Sequence, residues 1–229
     1  MRQTRAALEA RRRDLMWGLV VVVALLASVG GYAGWRQVRA GRATELLATA
    51  LAVYQAPVVP PAAPAPGSPA PVQQPGTYMS EKAKIEAALP KFIEAADRYP
   101  NTDPGIAARY HAASILATLG RYPEAEQKYQ EVVSKGGSTI YGRTARLGLA
   151  DAQLAQNKFD SAINIYTELS RDTNSQMPLD GVLMQLGRAY ARAGRKEDAV
   201  RAFSRVADEF PQSMYAADAK KELELARKS

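Results

Sequence analysis

Apolar residues recur along the C-terminal two-thirds of the chain at the spacing of one helix face, and the whole pattern repeats every 37 residues. In the stretch from Tyr122 to Val132, Ala125 is followed by an aromatic residue four positions later and an aliphatic residue three positions after that. Residues at these intervals lie on the same side of an α-helix. The same order appears in three further copies, at 85–95, 159–169 and 196–206. Four copies in register predict an internal repeat built from helices.

Glycine, asparagine and proline turns divide residues 80–228 into eight predicted helices. Ser80 and Glu81 begin the first with a capping hydroxyl and an early acid. Gly120, Asn157 and Gly194 tolerate left-handed backbone and are predicted as the turns inside helical hairpins. The predicted helices span 80–99, 105–119, 123–134, 139–156, 159–171, 179–193, 196–209 and 214–228. One hairpin cannot bury its own apolar face, so we expect an all-α solenoid, with a polar-faced last helix as its cap.

The longest apolar run is near the N-terminus, where residues 15–35 carry no formal charge. As a helix this run is about 31 Å long, which matches the hydrocarbon thickness of a bilayer. Trp17 lies near one end, and Tyr32 and Trp35 lie near the other, where interfacial aromatic residues concentrate. The run has no polar face of the kind that a helix of a soluble domain needs. It predicts a single transmembrane helix.

A cleaved signal peptide is the alternative interpretation of the same run. Its apolar region is normally about 7–15 residues long and ends at a small-x-small cleavage site. The run is longer than that, and Gly31-Tyr32-Ala33 is a poor version of such a site. A retained span is therefore favoured over cleavage.

The net charge of +7 is concentrated around the apolar run, not on the repeats. Residues 1–14 carry five arginines against Glu9 and Asp14, whereas residues 80–229 carry 22 basic against 20 acidic side chains. This distribution is typical of membrane topology and does not indicate a nucleic-acid-binding surface. Because more arginines precede the span than follow it closely, the N-terminus is predicted to be cytoplasmic, with the repeats across the membrane.

Between the span and the repeats, the composition changes twice. Residues 36–56 contain good helix formers with an amphipathic pattern and predict a membrane-proximal helix. The next segment, from Pro57 to Gly76, holds eight of the fourteen prolines and predicts a disordered insertion. The helix at 41–56 is expected to pair with the helix at 80–99. The predicted organisation is a basic tail at 1–14, a transmembrane helix at 15–35, a membrane-proximal helix at 36–56, a proline-rich insertion at 57–79 and a repeat domain at 80–229.

The repeat resembles the tetratricopeptide repeat over residues 80–228. The matching features are a small residue in the first helix, the turn residue Gly120, Asn157 or Gly194, the alanine of the second helix with an aromatic residue four positions on, and a closing proline. That proline is present as Pro100 and Pro211. The period of 37 exceeds the usual 34 of the family, which implies longer loops between repeats.

The chain shows little sign of catalytic or metal chemistry. It has no cysteine, which excludes a disulfide framework, a Cys-ligated zinc site and the lipidated cysteine of a bacterial lipoprotein. Its single histidine, His111, is predicted on a helix and has no second histidine to share a metal. The sequence contains no phosphate-binding loop and no nucleophile elbow. We expect a protein that is not an enzyme and binds no cofactor.

A stack of helical hairpins has a concave surface lined mainly by the first helix of each repeat. The side chains expected there would suit an extended peptide or an amphipathic helix, with Arg188 and Arg192 available to pair with an acidic group. Each position could equally serve packing between repeats. The candidate contacts are Tyr110, Ser114, Thr118, Leu147, Asp151, Leu154, Met184, Arg188 and Arg192.

An N-terminal span followed by Gly34-Trp35-Arg36, a helix and tetratricopeptide-like repeats resembles the ancillary subunit of the bacterial Sec translocon. The resemblance implies a single-pass protein of the inner membrane with its repeats in the periplasm. It also implies a role in protein export or envelope protein folding, with the Sec channel, chaperones or exported polypeptides as partners.

A second resemblance lies in the stretch from Phe210 to Ala219, which is similar to repeats of outer-membrane assembly lipoproteins and of the periplasmic cell-division coordinator. The missing lipid-acceptor cysteine disfavours the lipoproteins, and the uncharged run at 15–35 disfavours the coordinator unless it is cleaved. A structural scaffold or self-association module in an envelope or cell-division complex is therefore the alternative function.

Overall fold

The computed structural model describes residues 2–60, 74–172 and 177–228, and within these ranges the chain forms nine α-helices. They are α1 (Arg2–Tyr54), α2 (Glu81–Arg98), α3 (Asp103–Thr118), α4 (Tyr122–Gly136), α5 (Ile140–Ala155), α6 (Phe159–Arg171), α7 (Leu179–Arg192), α8 (Lys196–Glu209) and α9 (Ala216–Lys228). The eight helices predicted in residues 80–228 are all present, with ends that differ by one to two residues at most positions. The predicted all-α solenoid is confirmed.

The helices stack as hairpins, and each hairpin packs on the next one. Consecutive helices contact each other along the stack from α1 to α9. In addition, α1 contacts α3, α3 contacts α5 and α5 contacts α7. The first helices of successive hairpins are therefore neighbours along one face, which we call the concave face because it is the concave one in stacks of this kind. The second helices, α2, α4, α6 and α8, occupy the other face.

The repeated alanine and aromatic positions form the core of the stack. Ala125, Ala162 and Ala199 have no exposed surface, and neither do the aromatic side chains Tyr166 and Phe203, which follow four residues after the last two. The predicted buried face of each second helix is confirmed. A small residue at the alanine position lets the neighbouring helix approach closely, and the aromatic ring fills the space one turn further on.

The three predicted hairpin turns adopt left-handed backbone. The φ angles are 75° at Gly120, 61° at Asn157 and 73° at Gly194. Asn157 is the one non-glycine residue with positive φ in the described part of the chain. Asparagine tolerates this region better than most residues because its short polar side chain can form local hydrogen bonds. These turns fix the antiparallel course of each hairpin.

Two glycines allow aromatic rings to lie directly against a helix backbone. A Cβ atom added at Gly187 in α7 would be 2.5 Å from a ring carbon of Phe203 in α8. A Cβ atom added at Gly148 in α5 would be 2.5 Å from the ring of Tyr129 in α4. Both distances are far inside van der Waals contact, so the helix crossings depend on the missing side chain.

Helix α1 joins the apolar run and the first repeat in one unbroken element. The sequence predicted two segments, 15–35 and 36–56, and the structure has a single helix from Arg2 to Tyr54. The part beginning at Leu19 is long and apolar enough to cross a membrane. Further along the same helix, Ala43 and Ala50 are completely buried. The C-terminal part of α1 packs against α2 and α3 as the first helix of the solenoid.

The described ends of the proline-rich segment pair with each other. Tyr78 N donates to Pro57 O at 3.1 Å, and Val59 N donates to Tyr78 O at 2.8 Å. This short bridge joins the C-terminal end of α1 to the chain just before α2. The interior of the predicted insertion, residues 61–73, lies outside the described residues, as do residues 173–176 of the loop between α6 and α7. The segment boundaries inferred from composition remain predictions.

Arg109 in α3 is a buried cation that connects three helices. Its side chain is 4% exposed. Its Nη2 donates to Ala96 O of α2 at 3.0 Å and lies 3.4 Å from Asp97 Oδ1, while its Nε lies 2.9 Å from Glu131 Oε2 of α4. Because a buried guanidinium is costly without partners, these contacts bind the first and second hairpins together at this point.

Glu126 in α4 is a buried anion at the junction of the second and third hairpins. It accepts hydrogen bonds from Lys158 Nζ at 2.6 Å, Gln156 Nε2 at 2.7 Å and Gln153 Nε2 at 3.2 Å. These donors belong to α5 and to the turn that follows it. Burial raises the pKa of the Glu126 carboxyl, but the hydrogen bonds to Lys158, Gln156 and Gln153 outweigh it, so the pKa is lowered.

The lowered pKa of Glu126 predicts a stability that depends on pH. A carboxyl whose folded pKa is depressed stabilises the fold fully above its unfolded pKa of about 4.3. That contribution is lost as the pH falls through the folded pKa. We expect Glu126→Gln to lower the free energy of unfolding by roughly 1–3 kcal/mol at neutral pH. As the pH falls below about 5, the wild type should lose more stability than the variant.

Urea unfolding of the full chain in detergent, followed by circular dichroism at several pH values, measures both effects. Glu86→Gln is the matched control, because Glu86 is 53% exposed and 3.9 Å from Lys82. Surface pairs of this kind contribute little. Equal losses of stability on acidification in wild type and Glu126→Gln would contradict the expected role of this carboxylate.

Candidate protein-binding groove

The N-terminal half of the concave face is filled by an aromatic cluster. The His111 ring stacks on Phe92 with centroids 5.1 Å apart, and Tyr110 lies 5.5 Å from Tyr141. Tyr54 of α1 closes the cluster, with its ring 5.9 Å from Phe92. Burial lowers the pKa of His111, so the imidazole is held in its neutral form. The cluster connects α1, α2, α3 and α5.

Three of the predicted contacts belong to this filled half. Tyr110 is half-buried in the aromatic cluster, and Ser114 hydrogen-bonds the hydroxyl of Tyr129. Burial is the main reason that the pKa of Tyr129 is raised to about 12, with the charges of Tyr110 and Asp151 adding to it and the Ser114 hydrogen bond opposing it. Thr118 is exposed at the end of α3, and its hydroxyl donates to Ser114 O at 3.0 Å. Tyr110 and Ser114 thus contact other side chains of the protein itself, within the filled half of the concave face.

The C-terminal half of the concave face is open. Two adjoining clefts of about 770 Å³ and 520 Å³ lie between α5, α7 and α9, and they share Asp151 and Gln185. We call the two together the C-terminal groove. Predicted contacts that line it are Leu147, Asp151, Leu154, Arg188 and Arg192. The structure therefore brings together five of the nine predicted positions.

Met184 does not line the C-terminal groove, and the prediction that it is a surface contact is wrong. Its side chain is 1% exposed. It packs with Leu183, Phe203 and Ala219 in the core shared by α7, α8 and α9. The position is one repeat after Leu147, but the C-terminal helix covers this part of α7.

Asp151 is the acidic group that the two clefts share, while Asp180 lines the larger cleft and Glu222 the smaller one. It accepts a hydrogen bond from the Tyr166 hydroxyl at 2.5 Å. Desolvation raises the pKa of Asp151, and the hydrogen bond from Tyr166 opposes this effect. The carboxylate is exposed to water at the groove surface, yet protein surrounds it on most sides. Burial and the charge of Asp151 raise the pKa of Tyr166, which keeps its hydroxyl a neutral donor.

Three arginines supply the positive charge of the C-terminal groove: Arg143 lines the larger cleft, and Arg188 and Arg192 line the smaller one. Arg192 Nη2 donates to Asn157 Oδ1 at 2.8 Å, and the guanidinium lies 5.5 Å from the Phe159 ring. Arg188 Nη1 lies 3.5 Å from Gln185 Oε1. Neither Arg188 nor Arg192 forms an ion pair with a carboxylate of the described residues. Each keeps N–H donors that a carboxylate could occupy in a charge-assisted pair.

The apolar end of the C-terminal groove was missed by sequence reasoning. It contains Ile140, Met177 and Met214, which are spaced 37 residues apart. Ile140 is 65% exposed and Met214 is 84% exposed, although both are large apolar side chains. The signal that could have found them is the repeat period itself, applied to the residues just before or at the start of each first helix. Because the three side chains line the same cleft, they form one apolar patch, and contiguous exposed patches of this kind are typical of a binding surface.

No group of three His, Cys, Asp or Glu side chains with the spacing of a metal site occurs in the part of the chain that the structure describes. The groove instead combines an apolar end with separate positive and negative groups. Such a surface can recognise a polypeptide segment by burying apolar side chains and pairing charges.

Comparison with known proteins gives the same fold. The putative kinesin light chain TPR-like repeats of Podosopora anserina are 14% identical, with a TM-score of 0.56, over 63% of this chain and 78% of that one. BtubC from P. vanneervenii is 16% identical, with a TM-score of 0.57, over 65% and 67%. MamA from Desulfovibrio magneticus RS-1 is 18% identical, with a TM-score of 0.51, over 64% and 82%. No curated protein matches in sequence.

The sequence also matches a family directly. The tetratricopeptide repeat-like domain family matches residues 13–214, a range that extends from the start of the apolar run to the chain just before α9. Stacks of this kind are typically interaction scaffolds without catalytic activity, in which the concave surface is used for binding. The chain belongs to the tetratricopeptide repeat-like domain family.

Proposed function

We propose that this protein is a membrane-anchored interaction module that binds a segment of another protein in its C-terminal groove. The observation that carries the proposal is the contrast between the two halves of the concave face. The aromatic cluster fills one half, while the other half is open and carries two arginines without carboxylate partners among the described residues. A scaffold that needed only internal packing would have no use for that opening.

The groove favours a ligand with an apolar side chain and an acidic group. Its apolar end, at Ile140, Leu147 and Met214, suits a large aliphatic or aromatic side chain. Arg188 and Arg192 lie in the adjoining cleft and can pair with a carboxylate. An extended peptide or an amphipathic helix can present both groups.

We place the protein in a bacterial inner membrane, with the N-terminus in the cytoplasm and the repeats in the periplasm. The charge distribution around residues 15–35 supports this orientation. The resemblance to the ancillary Sec translocon subunit supports the Sec channel, periplasmic chaperones or exported polypeptides as partners. The function would then be to assist protein export or envelope protein folding.

The proposed orientation can be tested with single cysteines, because the chain has none of its own. Cysteine introduced at Met214 should react with a membrane-impermeant maleimide in intact spheroplasts, whereas cysteine introduced at Thr4 should react only after lysis. Labelling of the Thr4 position in intact spheroplasts, with protection of the Met214 position, would place the repeats in the cytoplasm and contradict the proposal.

Site-specific photo-crosslinking tests the groove itself. A photoreactive residue at Leu147 or Met214 should capture a partner protein in native membranes, while the same residue at the exposed Asn164 of α6 should not. Capture of Sec channel components, chaperones or exported chains supports the export role. Capture of second copies of this chain alone would instead favour the scaffold alternative.

Loss of Arg188 and Arg192 should weaken the binding of the captured partner to the groove. Hydrogen bonds to charged groups contribute about 1.5–3 kcal/mol each, so Arg188→Ala/Arg192→Ala, which removes two of them, should lower affinity by roughly 100-fold or more. Affinity is measured with the purified partner by calorimetry. Arg171→Ala/Arg227→Ala removes the same charge from exposed positions outside the groove and should have little effect. Equal loss in both double variants would indicate an effect of net charge instead of groove contacts.

A further inference from the structure

A basic cleft lies where α1 leaves its apolar stretch and meets the end of α2. Three arginines converge on it, together with an indole, a phenol and Val38, in an open space of about 380 Å³. Arg39 and Arg42 come from α1, and Arg98 comes from the last turn of α2. Trp35 and Tyr99 form its aromatic walls. The cleft exists only because the first repeat is packed on the helix that carries the apolar run.

Arg39 is held in a geometry that leaves its hydrogen-bond donors available. Its guanidinium carbon lies 5.1 Å from the Trp35 ring centroid and 5.9 Å from that of Tyr99. Aromatic contacts of this kind use the faces of the guanidinium and leave the N–H groups at its edge. Arg39 and Arg42 have no hydrogen bond or ion pair to any described residue.

The carboxylates around the cleft do not neutralise it. Arg98 pairs with Glu94 at 3.4 Å, but both side chains are at least half exposed, so this pair contributes little. On the other side of Arg39, a neighbouring cleft contains Arg36 and Asp103. Glu45 lies on α1 one turn beyond Arg42. The cleft therefore carries more positive than negative charge.

The cleft lies at the depth of lipid headgroups if the apolar run spans a bilayer with Trp35 at its interface. At 1.5 Å per residue, Arg39 is about 6 Å and Arg42 about 10 Å beyond Trp35 along the helix axis. The headgroup layer is roughly 5–7 Å thick on each side of the hydrocarbon core. Long arginine side chains reach back toward that layer.

We propose that this basic cleft binds the headgroup phosphate of an anionic phospholipid. The phosphate would accept hydrogen bonds from Arg39, Arg42 and Arg98, and a headgroup without a compensating ammonium would be preferred. Binding would hold the start of the solenoid, at the α2–α3 corner, against the membrane surface. The inference rests on the membrane anchor in the proposed function and is independent of ligand binding in the C-terminal groove.

Fluorescence quenching of Trp35 in vesicles tests the site with the full chain. The chain has two tryptophans, so Trp17→Phe leaves Trp35 as the sole reporter. Phosphatidylglycerol with brominated acyl chains should quench Trp35 more than brominated phosphatidylcholine at equal mole fraction, with an apparent preference of roughly fivefold. Arg39→Gln/Arg42→Gln/Arg98→Gln should reduce the preference to about one. Circular dichroism of each variant checks that the helices are intact.

The control removes the same charge elsewhere, as Arg171→Gln/Lys220→Gln/Arg227→Gln, and should keep the preference. Equal quenching of Trp35 by the two lipids in the Trp17→Phe protein, with Arg39, Arg42 and Arg98 intact, would overturn the proposal. So would loss of the preference on adding millimolar inorganic phosphate, since a free anion would then occupy the cleft. Groove variants at Arg188 and Arg192 should keep the preference whether or not they lose their partner. If neither lipid quenches Trp35, the result would contradict both the lipid site and the membrane anchor of the proposed function.

Discussion

Replacing Arg109 with alanine should lower the free energy of unfolding by roughly 2–4 kcal/mol, because the change removes a buried side chain together with its hydrogen bond and its ion pairs. The guanidinium is almost completely buried and lies 2.9 Å from a Glu131 carboxylate oxygen and 3.0 Å from the Ala96 carbonyl. Its loss leaves the Ala96 carbonyl without its donor and the Glu131 carboxylate without its ion-pair partner, and it opens a cavity between α2, α3 and α4. We expect the first two hairpins to separate at lower denaturant concentration than the rest of the stack.

Urea unfolding of the full chain in detergent, monitored by circular dichroism, measures this loss. Arg98→Ala is the matched control, because Arg98 and Glu94 are 65% and 50% exposed and such pairs contribute about 0–1 kcal/mol. Arg109→Met keeps most of the volume without the charge and should lose less than Arg109→Ala. A loss for Arg109→Ala no larger than that of Arg98→Ala would show that the buried contacts do not stabilise the fold.

Adding one methyl group at Gly187 should destabilise the protein by up to about 2 kcal/mol, because overpacking of a core costs about 1–3 kcal/mol and a gain in helix propensity offsets part of that cost. The new Cβ would be 2.5 Å from a ring carbon of Phe203, whose side chain is completely buried and cannot rotate into solvent. Alanine has a better helix propensity than glycine by about 1 kcal/mol, which offsets part of the loss. The net effect is the difference between the two terms.

Gly181→Ala on the same helix is the control for helix propensity. Its Cβ would be 3.4 Å from Tyr215, an ordinary contact, so this change should be neutral or stabilising. The double variant Gly187→Ala/Phe203→Leu should lose less stability than the sum of the two single changes, because the smaller side chain makes room for the methyl group. Thermal unfolding measured by differential scanning fluorimetry gives all four values. Strict additivity would contradict a direct clash.

The helices and hairpin turns could be predicted because their causes are local. Ala162 and Tyr166 share a helix face by spacing alone, and both are buried. Asn157 occupies the place of Gly120 and Gly194 in the period and has the same left-handed backbone. Such choices depend on a few neighbouring residues, which a repeated sequence displays several times.

The surface of the stack was harder to predict because its causes are not local. Tyr110, Leu147 and Met184 occupy equivalent positions one period apart, yet their environments differ completely. Tyr110 joins an aromatic cluster to which α1 contributes Tyr54, Leu147 lines an open groove, and Met184 is buried in the core shared with α9. The period specifies where each residue points, but distant helices determine whether anything covers it.

The uninterrupted course of α1 also restricts how a partner can meet the protein. A flexible linker would let the repeats tumble above the bilayer, whereas a continuous helix packed into the first hairpin transmits its own tilt to them. If the apolar part is embedded in a membrane, as we propose, a partner would meet a surface held at a fixed angle to the bilayer. The search for that surface would then involve only lateral diffusion and rotation about one axis. Each residue added to α1 between Trp35 and Ala43 would turn that surface by about 100° about the helix axis.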